Sequence, residues 1–143
     1  MEKLKLFYEL MKKEETFTLA TSSDNFVSMR VVSPVIYDGD ILFYTNKKSL
    51  KYKQLEKNKN CCVKIAYFTA GATARFLGST MLPENSEYRE IYENKFPNAF
   101  DVNFPFNGTN DDFVILRIHN LKGWVYEENT EIPTVYFEMD IDE

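Results

Sequence analysis

A chain of 143 residues, 44% hydrophobic and 15% aromatic, is long enough to bury a real core, and its composition favours one sheet-rich domain over two domains or a disordered chain. Its 17 Lys and Arg against 22 Asp and Glu leave a net charge of −5, which argues against nucleic acid as the main partner. No apolar run reaches membrane-spanning length and the opening Met-Glu-Lys-Leu-Lys lacks an apolar signal core, so no membrane partner and a cytoplasmic location are expected.

Leu4, Phe7, Tyr8 and Met11 follow the i, i+3, i+4, i+7 spacing of an amphipathic first helix. Residues 16–21 alternate as a strand, and Ser22-Ser23-Asp24-Asn25 is turn chemistry. A longer strand is expected over 26–37, with Pro34 marking an edge position or a bulge. Asp38-Gly39 is the strongest short hairpin signal and leads into the strand that opens at Ile41, giving a helix followed by a three-stranded meander. Residues 61–68 read as a strand, Thr69-Ala70-Gly71 as a turn, and 72–82 as a strand in which Gly78 marks a bulge or a close backbone approach. Ser86 is the expected cap of a helix reaching about Asn94, with Tyr88, Ile91, Tyr92 and Lys95 as its spaced positions. Residues 95–112 have many aromatics and no period: either a lid over a ligand or a loop pinned to the core. Val114, Leu116 and Ile118 share one side of a strand, with Arg117 and His119 on the other, and a last strand covers 134–139 before an acidic tail.

Two features of composition set the chemistry. Cys61 and Cys62 are the two cysteines, and adjacent strand positions point to opposite faces, which makes a mutual disulfide implausible; core packing in a reducing compartment is the better reading. His119 is the sole histidine, so neither a structural zinc site nor histidine-based catalysis is supported, and no catalytic or metal-ligating set declares itself.

The most informative stretch is 41–58. Ile41-Leu42-Phe43-Tyr44-Thr45 reads as a strand, Asn46 and a lysine pair break it, and Ser49 stands where a helix N-cap belongs. Four lysines of an acidic protein (Lys47, Lys48, Lys51 and Lys53) crowd this helix start, whose free N–H groups and dipole favour anions. The reading is a phosphate seat flanked by the hydroxyls of Thr45 and Ser49; its plainer alternative is a solvated helix face. Arg30 is either an outward surface arginine or a second cation at the seat. Symmetric pairing about Asp38-Gly39 would bring it level with Asn46 and Lys47, and its planar fork suits phosphate oxygens.

Arg30-Val31-Val32, Phe43-Tyr44-Thr45-Asn46, Ser49-Leu50-Lys51 and Gln54 resemble the flavin-binding segments of the pyridoxamine 5′-phosphate oxidase-like family, the FMN-binding split barrels. Order and length match over most of the chain, with the specific motifs confined to residues 30–54. The resemblance implies a mainly β (α+β) fold over 1–143: a six-stranded antiparallel split β-barrel with flanking helices. It also implies a homodimer with FMN at the interface. It places Arg30 and Lys51 against the FMN phosphate, Tyr44 and Thr45 along the cofactor, and Val31, Val32, Asn46, Lys48 and Ser49 around them. Trp124 either packs on the flavin, crosses a dimer seam or rims the core. One departure is Leu50, where many members carry an arginine; Lys47 or Lys48 is its candidate substitute.

The implied activity is that of an FMN-dependent oxidoreductase acting on a small-molecule substrate, with a nicotinamide as candidate electron donor. No G-x-G-x-x-G fingerprint is present, so a nicotinamide would visit as substrate. The Arg-x-His type substrate segment of true pyridoxamine phosphate oxidases has no counterpart, because neither residue occurs after Trp124. General stress proteins and nitroimidazole-reductase-like members are closer in size. The alternatives are a non-catalytic flavin-binding or redox-sensing protein and a haem-binding relative, for which His119 would be the ligand to test.

Overall fold

The fold is known from a computed structural model, which describes residues 9, 12–13, 15–37, 40–65, 68–99, 113–126 and 133–138, with the backbone alone at 40, 68, 119–126 and 133–138. Among the described residues eight strands form one antiparallel sheet: β1 (Phe17–Ser23), β2 (Phe26–Val32), β3 (Val35–Tyr37), β4 (Asp40–Asn46), β5 (Asn60–Ile65), β6 (Phe68–Ser79), β7 (Phe113–Tyr126) and β8 (Pro133–Glu138). Helix α1 (Leu50–Lys57) joins β4 to β5, and helix α2 (Ser86–Lys95) follows a 3-10 turn at Pro83–Asn85. The strand order is β2-β1-β5-β6-β7-β4-β3, with β8 paired to β7.

That order makes the sheet curl. β2 and β3 are its two ends, yet only Ser33 and Pro34 separate them in sequence. Two residues reach about 7 Å when fully extended, so the opposite ends of the sheet must approach each other. The result is the split barrel, mainly β with helices alongside.

The expected six strands become eight for a local reason. Proline has no N–H to give a ladder, so the strand expected over 26–37 breaks at Ser33-Pro34 into β2 and β3. The last strand, β8, is the other addition. The break also corrects the expected meander. β3 pairs with β4 through Tyr37↔Asp40, as the Asp38-Gly39 signal predicts, but β2 leaves and pairs with β1 at the other end of the sheet, setting Arg30 opposite Leu19.

Smaller corrections follow the same logic. The β1–β2 turn uses Asp24 and Asn25, both at positive φ (51° and 65°), residues that tolerate this conformation. Thr69-Ala70-Gly71 is not a turn: these residues pair with Lys64, Val63 and Cys62 inside β6. The alanines and the glycine have small side chains, and the sheet partners on both sides override their turn propensity. Gly78 does mark a bulge, with φ +95° and a register shift against β7. The Asn85 amide donates to the Leu77 and Ser79 carbonyls at 3.0 and 2.8 Å, closing the bend after it. Asn85, not Ser86, precedes α2, and its side chain is spent on that bend instead of capping the helix. Leu4, Phe7, Tyr8 and Met11 of the predicted first helix, the tip of the Asp38-Gly39 turn, residues 100–112 and the acidic tail lie outside the described residues.

The core forms where alternating positions meet. Phe17 and Leu19 of β1, Ile41 and Phe43 of β4, Val63 and Ile65 of β5, and Leu116 and Ile118 of β7 are all buried, closed on one side by Leu55 of α1. β2 reverses the usual rule. Ser28 and Arg30 turn partly inward, while Val27, Met29 and Val31 stand outward at 70%, 69% and 65% exposure. No helix among the described residues is long and apolar enough to cross a membrane.

Candidate functional site: an anion seat at the start of α1

At the end of β4 the backbone turns sharply. The Ser49 N–H donates to the Asn46 carbonyl (3.0 Å) and the Lys48 N–H to the Asn46 side-chain oxygen (2.7 Å). This tight turn starts α1, with Ser49 as N-cap accepting from the Tyr52 N–H at 3.3 Å. The N–H groups of Leu50 and Lys51 stand at a helix start, where no intrahelical acceptor exists. Thr45 is the last inward residue of β4, and its hydroxyl meets that of Ser49 at 3.1 Å.

Lys51 projects from the first turn beside them. Among the described residues it makes neither hydrogen bond nor ion pair. Burial lowers its pKa, and the charge of nearby Arg30 lowers it further. Arg30 comes from a different direction than its sequence position suggests. Its Nη1 donates to the Leu19 carbonyl (3.2 Å) and Thr21 Oγ1 (2.7 Å), and its Nη2 donates to Ser28 Oγ. Its fork is therefore turned towards β1 and does not lie open as the expected phosphate grip. Among the described residues three of the five guanidinium donors are used, and every partner is neutral, so none of them cancels the charge.

Thr45, Ser49 and Lys51 line a groove of about 660 Å³. Its walls are Val31, Val32 and Ser33 where β2 crosses to β3, Tyr44 and Asn46 on β4, Tyr92, Phe96 and Ala99 on and after α2, and Phe113 at the start of β7. The aromatic wall is built edge to face: Tyr44 meets Tyr92 at 5.0 Å and Phe113 at 5.6 Å between ring centroids. The Tyr44 hydroxyl donates to the Ala99 carbonyl at 3.3 Å, and Tyr92 donates to the Ser33 carbonyl. Lys95 Nζ reaches the Pro34 carbonyl at 2.7 Å, so α2 holds the crossover from the groove side. Burial raises the pKa of both Tyr44 and Tyr92, keeping the hydroxyls neutral.

Of the ten residues singled out in the sequence, seven line this groove: Val31, Val32, Tyr44, Thr45, Asn46, Ser49 and Lys51. Arg30 acts on it through its charge at Lys51. The Lys48 side chain is exposed on the turn and is not part of the lining, and neither is exposed Lys47. The backbone of Trp124 pairs with Thr69 in mid-strand, and its side chain lies outside the described residues. Phe96 and Ala99, from the stretch expected to be either a lid or a pinned loop, also line the groove, while Ser33, Tyr92 and Phe113 are lining residues that the sequence does not single out. For Phe113 the pairing Asn46↔Phe113 supplies the reason, since a strand partner distant in sequence leaves no local mark. Cys61 and Cys62 are free; burial, then the neighbouring Cys62, pushes the Cys61 thiol up to about 12, which makes it a poor nucleophile.

Comparison with known proteins agrees with this fold. None of the curated proteins matches the chain. Among solved structures, General Stress Protein 26 from Bacillus anthracis is similar at a TM-score of 0.72 and 13% identity, covering 97% of this chain and 100% of that one. The haem storage protein HutZ from Vibrio cholerae is similar at 0.66 and 14%, covering 80% and 87%. An FAD-binding protein from Mesorhizobium loti is similar at 0.62 and 12%, covering 81% and 89%. Residues 3–127 match the family described as pyridoxamine 5′-phosphate oxidase. The chain belongs to that family.

Proposed function

We propose that the groove binds FMN, with the phosphate at Thr45, Ser49 and Lys51 under the charge of Arg30, and that the protein is an FMN-dependent oxidoreductase of a small molecule. One observation carries this reading: Lys51 and Arg30 are brought together at a helix start with no acid paired to either among the described residues, in a protein of net charge −5. A half-buried pair of like charges costs free energy unless an anion joins it. The residues present fit a phosphate ester, since two hydroxyls and two backbone N–H groups stand beside the lysine. The aromatic wall of Tyr44, Tyr92, Phe96 and Phe113 fits a flat ring further along the groove.

Bound flavin supplies the redox chemistry, and the chain's residues bind and orient it. A reduced nicotinamide is the proposed electron donor, visiting as a substrate. We place the working form as a homodimer with FMN at the interface. The outward apolar row Val27, Met29 and Val31 on β2 supports this, because Val31 belongs both to that row and to the groove wall. Two free, adjacent cysteines support a reducing, cytoplasmic setting.

The visible spectrum of the purified protein tests the cofactor. Flavin bands, with FMN released on denaturation, support the reading, and a Soret band replaces it with the haem alternative. A colourless protein that also refuses added FMN contradicts it. Oxidation of a reduced nicotinamide by the FMN-loaded protein with a small acceptor then separates an enzyme from a flavin carrier.

A further inference from the structure

Gln54 sits on α1 one turn beyond Lys51 and is 1% exposed, deeper than either cation. Both its polar side-chain atoms have partners. Oε1 accepts from Thr21 Oγ1 at 2.5 Å and from Ser28 Oγ at 2.6 Å, and Nε2 donates to the Phe26 carbonyl at 3.1 Å. These bonds fix the direction of both hydroxyl protons. A hydroxyl has one proton to give. Thr21 and Ser28 give theirs to Gln54, so both hydroxyl oxygens remain as acceptors, and Arg30 donates to both.

We propose that Gln54 is the positioning residue of the anion seat, holding the Arg30 guanidinium beside Lys51 through the hydroxyls of Thr21 and Ser28. The inference deepens the phosphate reading above and rests on it. Its content is electrostatic as well as geometric. A buried arginine is usually oriented by a carboxylate, which also cancels its charge. Here three neutral side chains orient the guanidinium, so the full charge is still available to a ligand. In such a chain each hydrogen bond polarises the next, which stiffens the arrangement. One helix thus delivers both cations: Lys51 directly, and Arg30 by way of Gln54 one turn later.

Gln54→Glu is the discriminating variant, because it keeps the size and the two accepted hydroxyl protons while adding the negative charge that the wild type lacks. Affinities for FMN and for riboflavin, which lacks the phosphate, are measured by calorimetry on the full chain, and the Lys51 titration is followed by NMR. The expected result is FMN binding weaker by about tenfold or more, riboflavin binding unchanged, and a Lys51 pKa moved back up. A folded variant that keeps the wild-type FMN affinity overturns the proposal, as does one that loses FMN and riboflavin alike. Should Gln54→Glu fail to fold, Ser28→Ala removes one hydroxyl; it is expected to weaken FMN severalfold with riboflavin unchanged, and an unchanged FMN affinity overturns the relay. Equal wild-type affinity for FMN and riboflavin would remove the phosphate seat itself, and the relay with it.

Discussion

The charge of Arg30 depresses the ionisation of Lys51, although the two come from separate elements: one from an end strand of the sheet, the other from a helix. Burial is the larger cause of the lowered Lys51 pKa and Arg30 the second. FMN affinity is therefore expected to fall as pH rises through a value below the ordinary lysine pKa of about 10.4. Lys51→Arg keeps its charge and flattens that profile; Lys51→Ala weakens FMN by about ten- to hundredfold, the range of a charge-assisted hydrogen bond.

The same shift has a signature in stability without ligand. A lysine with a lowered folded pKa is protonated more fully in the unfolded chain, so its contribution to stability rises with pH between the folded pKa and the unfolded one. Denaturant titrations of wild type and Lys51→Met across that window are expected to differ by this rise, the comparison cancelling the tyrosines. No difference in pH dependence would mean that Lys51 titrates as an exposed lysine.

Ser49 has two duties that two substitutions separate. As N-cap it bonds the Tyr52 N–H, and its hydroxyl also meets Thr45 at the groove. Ser49→Ala is expected to cost about 1 kcal/mol of stability and to weaken FMN. Ser49→Asp retains the cap, so stability is kept, but its carboxylate repels phosphate and FMN binding is lost. Thermal melts and calorimetry on the pair check both halves.

The parts of this site legible in the sequence were the local ones. A strand that breaks at Asn46, a serine cap and a lysine one turn in are neighbours along the chain, so residues 44–51 could be placed at a common turn from order alone. Arg30 comes to Lys51 by a route that spacing does not show: the pairing about Asp38-Gly39 stops at Pro34, and β2 returns around the curl of the sheet instead. Its bonds to Thr21 and Ser28, and theirs to Gln54, leave no mark in the sequence, because three segments (β1, β2 and α1) meet there and Gln54 is distant in sequence from the hairpin. Tyr92 carries a helical spacing that explains burial equally well, and Phe96 falls in the aperiodic stretch 95–112, so neither pattern distinguishes a groove wall from a core.

Gly78 tests the bulge in β6. At φ +95° a side chain is strained whatever space surrounds it, and a Cβ there would also approach Leu82 Cδ1 to 2.9 Å. Leu82 is partly exposed and its end can move, so the backbone term decides. Gly78→Ala is expected to destabilise by about 1–2 kcal/mol, read from the denaturation midpoint at unchanged slope.

The outward row of β2 tests assembly. Met29 is 69% exposed, on the face away from Arg30 and outside the groove lining. Met29→Lys is expected to leave the monomer folded and shift sedimentation from dimer to monomer. A wild type that sediments as a monomer would contradict the proposed homodimer.

The phosphate seat is the claim on which the functional reading stands, and the most direct measurement is the ratio of wild-type affinities for FMN and riboflavin, which share the ring and differ in the phosphate. FMN is expected to bind about a hundredfold more tightly or better, the worth of two charge-assisted contacts at the low end of their range, with the ratio collapsing in Lys51→Ala. Equal affinities in the wild type would contradict the account.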